Sequence, residues 1–215
     1  MVKTPLLAGV FTLLAAFTPL LAKPVIIWAS DPVRAGESVV VRGDGFGAKA
    51  LVEASFSQNG KPTDWKALDV LQQTPSTLKF ALPAKIGDGI VRFRISDGKD
   101  ASETNILNAP KIWWMQGDET ESATPGGWLR IFGLNLELRP KAKVSLRSGD
   151  SVITLTPEAI DEFALRVALP TDLKSGEYTV DFHNGLADAA AETTAGKIRI
   201  APNKPTPERI FDVLK

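Results

Sequence analysis

One pattern occurs twice in this chain, a domain's length apart, so the fold has to be one that closes twice on the same plan. Pro24-Val-Ile-Ile-Trp28 aligns with Pro110-Lys-Ile-Trp-Trp114. Ala35-Gly36-Glu-Ser-Val-Val-Val-Arg-Gly43 aligns with Pro125-Gly126-Gly-Trp-Leu-Arg-Ile-Phe-Gly133, and Phe46 and Leu136 follow at equivalent places. Leu78-Lys-Phe-Ala-Leu-Pro83 then matches Leu165-Arg-Val-Ala-Leu-Pro170, and the stretch from Gly87 to Ile95 matches the shorter one from Ser175 to Phe182. Each matched block is a turn signal running into alternating apolar residues, the period of a half-buried strand. Helical periodicity is almost absent.

Both copies close on a dipeptide that accepts positive φ, Asp97-Gly98 in the first and Asn184-Gly185 in the second. Each is therefore expected to end in a tight antiparallel hairpin, with return strands over 100–107 and 194–200. Residues 157–163 and 63–71 remain ambiguous between a helical turn and a loop. Short strands punctuated by Gly, Pro and Asn predict an all-β chain of two tandem antiparallel sandwiches, divided as 23–109 and 110–202. The first strand with Pro and Ile, the Gly turn, and the run Val39-x-Val41-x-Gly43-x-x-Phe46, repeated as Leu129, Ile131, Gly133 and Leu136, resemble the IPT/TIG immunoglobulin-like domains. That resemblance implies two immunoglobulin-like sandwiches acting as a binding or spacer module attached to a larger extracellular protein.

Lys3 precedes an apolar run from Leu6 to Leu21 ending at Ala22. This is the pattern of a secretory signal peptide over 1–22, with the mature chain starting near Lys23. The run is short for a spanning helix, which needs about 20 apolar residues, so no membrane span is expected after cleavage. There is no cysteine. An exported chain without disulfides depends on core packing alone, and a secreted bacterial protein, periplasmic or extracellular, fits. Lys plus Arg number 25 and Asp plus Glu number 25, without blocks of one sign. That balance lacks the basic footprint of a nucleic-acid partner.

At the other end, Pro202-Asn-Lys-Pro-Thr-Pro207 reads as a stiff spacer. Residues 209–215, Arg-Ile-Phe-Asp-Val-Leu-Lys, then read like the first strand of another domain. They resemble the entry to the parallel β-helix of secreted pectate lyases and polygalacturonases. The resemblance implies that 203–215 is a linker and first strand leading to a missing C-terminal partner domain. The full-length protein would then be a polysaccharide lyase or glycoside hydrolase, with this chain its non-catalytic accessory part.

No catalytic constellation is visible within the chain. His183, the single histidine, reads as a solvated hairpin residue, since common zinc sites and nucleophile triads need partners around it. Acidic pairs occur at Asp118-Glu119, Glu121 and Asp161-Glu162, and Asp118 to Glu121 reads as a solvated loop. Asp97, Asp100 and Glu103 are hard-cation ligands by type, but their spacing matches no calcium loop. No phosphate-binding loop is present, and no cofactor is expected.

The aromatic residues carry more. If Leu129 and Ile131 face the core, then Trp128, Arg130 and Phe132 face out. In the first strands the same register puts Ile26, Trp28, Ile112 and Trp114 in the core and Trp113 outside. Trp113, Trp128 and Phe132 thus form an outward patch that the first copy largely lacks. Burial of the patch against the neighbouring domain is the favoured reading, with stacking on a polysaccharide as the alternative. Trp65 has no assigned role. A self-standing adhesion or protein-binding protein is the rival to the accessory module.

Overall fold

A computed structural model of the chain describes residues 23–87, 89–136, 141–161 and 163–202. The expected signal peptide and the 203–215 tail lie outside the described residues.

The N-terminal half contains β1 (Val25–Ala29), β2 (Ser38–Asp44), β3 (Leu51–Gln58), β4 (Lys61–Pro62), β5 (Lys66–Leu68), β6 (Val70–Gln73), β7 (Thr77–Ala81), β8 (Val91–Ser96) and β9 (Asn105–Leu107). The C-terminal half contains β10 (Lys111–Gly117), β11 (Ser122–Ala123), β12 (Trp128–Leu134), β13 (Lys143–Ser148), β14 (Ser151–Leu155), β15 (Ala159–Ile160), β16 (Ala164–Ala168), β17 (Gly176–His183) and β18 (Glu192–Ile200). A 3₁₀ turn, Ala189–Ala191, precedes β18.

These strands form immunoglobulin-like sandwiches, as the alternating sequence predicts. In the first half the sheet β1-β2-β7-β6 faces β4-β3-β8-β9, with β5 also paired to β3. In the second, β10-β12-β16-β15 faces β11-β18-β17-β13-β14. The named strand pairs are antiparallel except β11 with β18.

Period-two alternation builds both cores. Val39, Val41, Leu78 and Phe80 point inward to meet Val52, Ala54, Phe93 and Ile95. Leu129, Ile131, Leu165 and Val167 do the same against Val144, Leu146, Val180 and Phe182. Each fully buried aliphatic or aromatic side chain contributes about 1.5–3 kcal/mol. The shared glycine has a steric cause: a Cβ on Gly43 would strike the Val25 carbonyl and the Phe46 ring, and one on Gly133 would strike the Lys111 carbonyl. The glycine lets the first strand close over the side chain that follows it, Phe46 in one half and Leu136 in the other.

Three expectations need correction. Residues 157–163 and 63–71 supply short strands, β15 in one and β5 with the start of β6 in the other, because neighbouring strands offer them hydrogen-bonding edges. The first hairpin closes as expected, with Asp97 N–H bonded to Asp100 O at 3.1 Å and Ser96 bridged to Ala101. Its return strand is confined to β9. The second is an antiparallel hairpin of β17 and β18 but not a tight one: His183 pairs with Glu192, leaving a loop over 184–191. Of Asn184-Gly185 only the glycine has positive φ (85°).

That longer loop joins the two halves. The Asn184 side chain is buried and donates to Asn108 O (2.9 Å) and Asn135 O (3.2 Å). Asn135 in turn donates to Ala109 O (2.9 Å) and to Asp31 (3.0 Å), which pairs with Lys111 at 2.8 Å. Leu186 and Ala191 from the loop bury themselves with Ile90 in a small core of their own. Asp188 reaches Arg92 through two bonds, at 2.6 and 3.0 Å, and also accepts from Ser57.

Candidate aromatic binding face

The first strand of the C-terminal half carries the irregularity that makes the site. β10 pairs with β12 as Ile112↔Gly133 and then Trp114↔Phe132, so one extra residue is accommodated between Ile112 and Trp114. A β-bulge of this kind shifts the facing of the residues that follow it. Trp114 is therefore 51% exposed, where strict alternation puts it in the core, and Trp113 is 61% exposed. Met115 takes the inward place, packed against the core. Trp28 is likewise 52% exposed rather than buried, because β1 carries a bulge between Ile26 and Trp28.

Two stacked aromatic pairs result. Trp114 and Phe132, opposite each other on β10 and β12, have ring centroids 4.5 Å apart and an interplanar angle of 7°. Trp113 stacks with Phe163 at 6.3 Å and 18°. Phe163, 48% exposed, sits where its carbonyl accepts from Gly133 N–H at 2.9 Å. It belongs to the surface although the alternation of β12 does not point to it. One row along the same sheet face, Arg130 lies opposite Arg166, and both guanidinium groups approach the Trp128 ring, at 5.0 and 5.7 Å from its centroid. Trp113, Trp128 and Phe132 thus share the outer face of one sheet, and Trp114 and Phe163 join them.

The contact between the halves runs through Ile90, Leu186, Ala191, Arg92 and Asp188. Within the described residues Trp113, Trp114 and Phe163 stay half-exposed or more exposed.

Other candidates resolve into local roles. His183 Nδ1 accepts from Gly185 N–H at 3.0 Å, and the ring lines a groove of about 940 Å³ with Lys143, Ser145, Thr154 and Glu192. Burial alone would raise the Asp118 carboxyl, but the Thr124 hydroxyl and amide outweigh it and hold the group below its ordinary value. Asp97 is also lowered, by the Asp100 and Lys99 amides of its own turn, and Glu103 pairs with Lys23 at 2.6 Å. Among the described residues no three His, Cys, Asp or Glu side chains gather as a metal site. Glu162 lies outside the described residues. Arg94 stands 4.6 Å over the Trp65 ring, a cation–π contact that occupies that indole. No described helix is long and apolar enough to cross a membrane.

No family model matches the chain, and no curated protein matches it in sequence. Among solved structures it is similar to a crystal structure with a xylogluco-oligosaccharide, at 12% identity over 84% of this chain and 40% of that one, TM-score 0.45. It is similar to SGBP-B of the mixed-linkage glucan utilization locus of Bacteroides ovatus, in complex with a mixed-linkage heptasaccharide, at 17% identity over 84% and 45%, TM-score 0.34. It is also similar to the surface glycan-binding protein PbSGBP-B from Prevotella bryantii, at 13% identity over 83% and 41%, TM-score 0.32. The chain spans less than half the length of each of these three.

Proposed function

We propose that this chain is an exported, non-catalytic carbohydrate-binding module that uses the aromatic face of its C-terminal half. The observation that carries the reading is the outward pair of stacks, Trp114 on Phe132 and Trp113 on Phe163. Keeping two indoles half in water forgoes the burial each would gain in a core, and an apolar patch of this kind on a folded protein marks a contact surface. A sugar ring suits it: its C–H face is flat and apolar, and its edge hydroxyls need donors and acceptors. Gln116, Arg130 and Arg166 form the adjoining cross-strand row on the same face.

The test is affinity electrophoresis through gels containing single polysaccharides. The wild-type chain is expected to be retarded by at least one. Trp113→Ala and Trp128→Ala should each weaken retardation, Trp113→Ala by about tenfold in Kd, with an unchanged melting temperature. A large loss of stability in either variant would make the rings packing residues and sink the reading. Retention of a folded protein partner with no glycan binding would favour the rival adhesion role.

In its finer form the reading makes this chain the N-terminal accessory part of a secreted polysaccharide lyase or glycoside hydrolase, the modules positioning the catalytic domain. It rests on the signal-like residues 1–22 and the strand-like residues 209–215. Sequencing the gene across the codon for Lys215 tests it. An open frame into short-strand repeats supports the accessory role, and a stop codon refutes it.

A further inference from the structure

The N-terminal half repeats the architecture of the aromatic face position by position. β1 pairs with β2 as Ile26↔Gly43 and then Trp28↔Arg42, with the same bulge between them. Gly43 N–H donates to Ser76 O at 3.0 Å, as Gly133 does to Phe163 O at 2.9 Å. Ile27, Trp28, Arg42 and Ser76 therefore stand where Trp113, Trp114, Phe132 and Phe163 stand in the other half. They border a depression of about 470 Å³, and Ile27 is 74% exposed.

Their chemistry differs from that of the second copy. Two phenyl rings are replaced by a guanidinium and a hydroxyl beside one exposed indole. Lys79, opposite Val40 on the next row of this face, adds a second cation. Among the described residues neither Arg42 nor Lys79 forms an ion pair. An indole flanked by uncompensated cations complements a sugar that carries a carboxylate, since a guanidinium binds carboxylate through paired, charge-assisted hydrogen bonds.

Building on the carbohydrate-binding reading, we infer that Trp28, Arg42 and Ser76 form a second glycan subsite, selective for a carboxylated (uronate) sugar. The indole stacks on the ring face, and Arg42 takes the carboxylate from the rim. The second copy has Phe132 and Phe163 at the places of Arg42 and Ser76, and its cations, Arg130 and Arg166, lie one row along over the Trp128 ring.

The experiment is calorimetric titration of the full chain with polygalacturonate and with its methyl ester, whose backbone is the same but whose carboxylates are neutralised. Wild type is expected to bind the acid form about tenfold more tightly at low salt. Arg42→Gln should remove that preference, weakening binding of the acid form about tenfold and of the ester far less. Trp28→Ala should weaken binding to both. Both side chains are exposed, so neither variant should lower the melting temperature. Equal affinity for acid and ester, or a preference that survives Arg42→Gln, overturns the inference. Equal affinity for the two forms together with ester binding that depends on Trp113 overturns it while leaving the broader carbohydrate reading standing. If neither these two polymers nor any neutral glycan binds, both fall together.

Discussion

Asp188 ties the halves together through a single carboxylate. Burial by itself would raise its pKa, but the Arg92 guanidinium, the Ser57 hydroxyl and the Ala190 amide outweigh that effect and hold it at about 2, against an ordinary 3.8. A carboxyl lowered on folding adds stability that is present above its unfolded pKa and lost as pH falls through the folded one. The contribution, about 2 kcal/mol, should be whole at neutral pH and disappear between about pH 4 and pH 2. Asp188→Asn is expected to lower unfolding free energy by about that amount at pH 7 and to flatten the acid limb of the urea midpoint against pH. A variant with the wild-type pH profile would remove Asp188 from this role. Gly133 is a second such residue. Because a Cβ there would strike the Lys111 carbonyl and crowd Leu136, Gly133→Ala should cost about 1–3 kcal/mol in urea denaturation, and a neutral outcome would show that β10 is free to shift. The glycine and its core neighbours are legible in the sequence because alternation and the Gly-x-x-Phe spacing express steric demands directly. The facing of Trp28 and Trp114 is not, because a bulge adds one residue without changing the composition around it. Phe163 escapes sequence reading for a related reason: its exposure follows from its place just before β16 rather than from any strand alternation. The internal alignment that equates it with Ser76 was the signal available.

At the level of elements, the loop over 184–191 is where the two copies part company. The first copy turns back through Asp97-Gly98, whose carboxylate accepts from the Lys99 and Asp100 amides at 2.8 Å each. The second spends its Asn on the joint between halves, so the dipeptide that suggests a two-residue turn serves a tertiary contact instead. Local turn propensity is overridden when a side chain finds buried carbonyls to satisfy, since each such carbonyl left unpaired costs about 1–3 kcal/mol. Asn184→Ala strands the Asn108 and Asn135 carbonyls and should destabilise the protein within that range, measured by chemical denaturation. A change below about 0.5 kcal/mol would mean that these bonds are replaced at no cost. The ambiguous stretches at 63–71 and 157–163 became strands for a similar tertiary reason. Neither has a strong pattern of its own, and each is organised by the edge beside it.

For the whole molecule, two cores built by one plan are joined by a third, small one and by a set of buried polar bonds. The alternation that builds both cores was readable from the sequence; the joint was not, because it depends on residues from both halves at positions the repeat does not share. The joint predicts cooperative unfolding, with a single calorimetric transition whose van't Hoff and calorimetric enthalpies agree. The pair of substitutions Leu186→Ser and Arg92→Ala should split it in two, whereas two transitions in the wild type would contradict a coupled joint. The joint also leaves open the aromatic face proposed to meet sugar. The five tryptophans each carry one indole N–H, so ¹⁵N-labelled protein reports on every one during titration with a retained oligosaccharide. The Trp113 and Trp114 indole signals are expected to shift on saturation while Trp65, engaged by Arg94, stays in place. Saturating binding that leaves Trp113 and Trp114 unmoved would contradict the proposal.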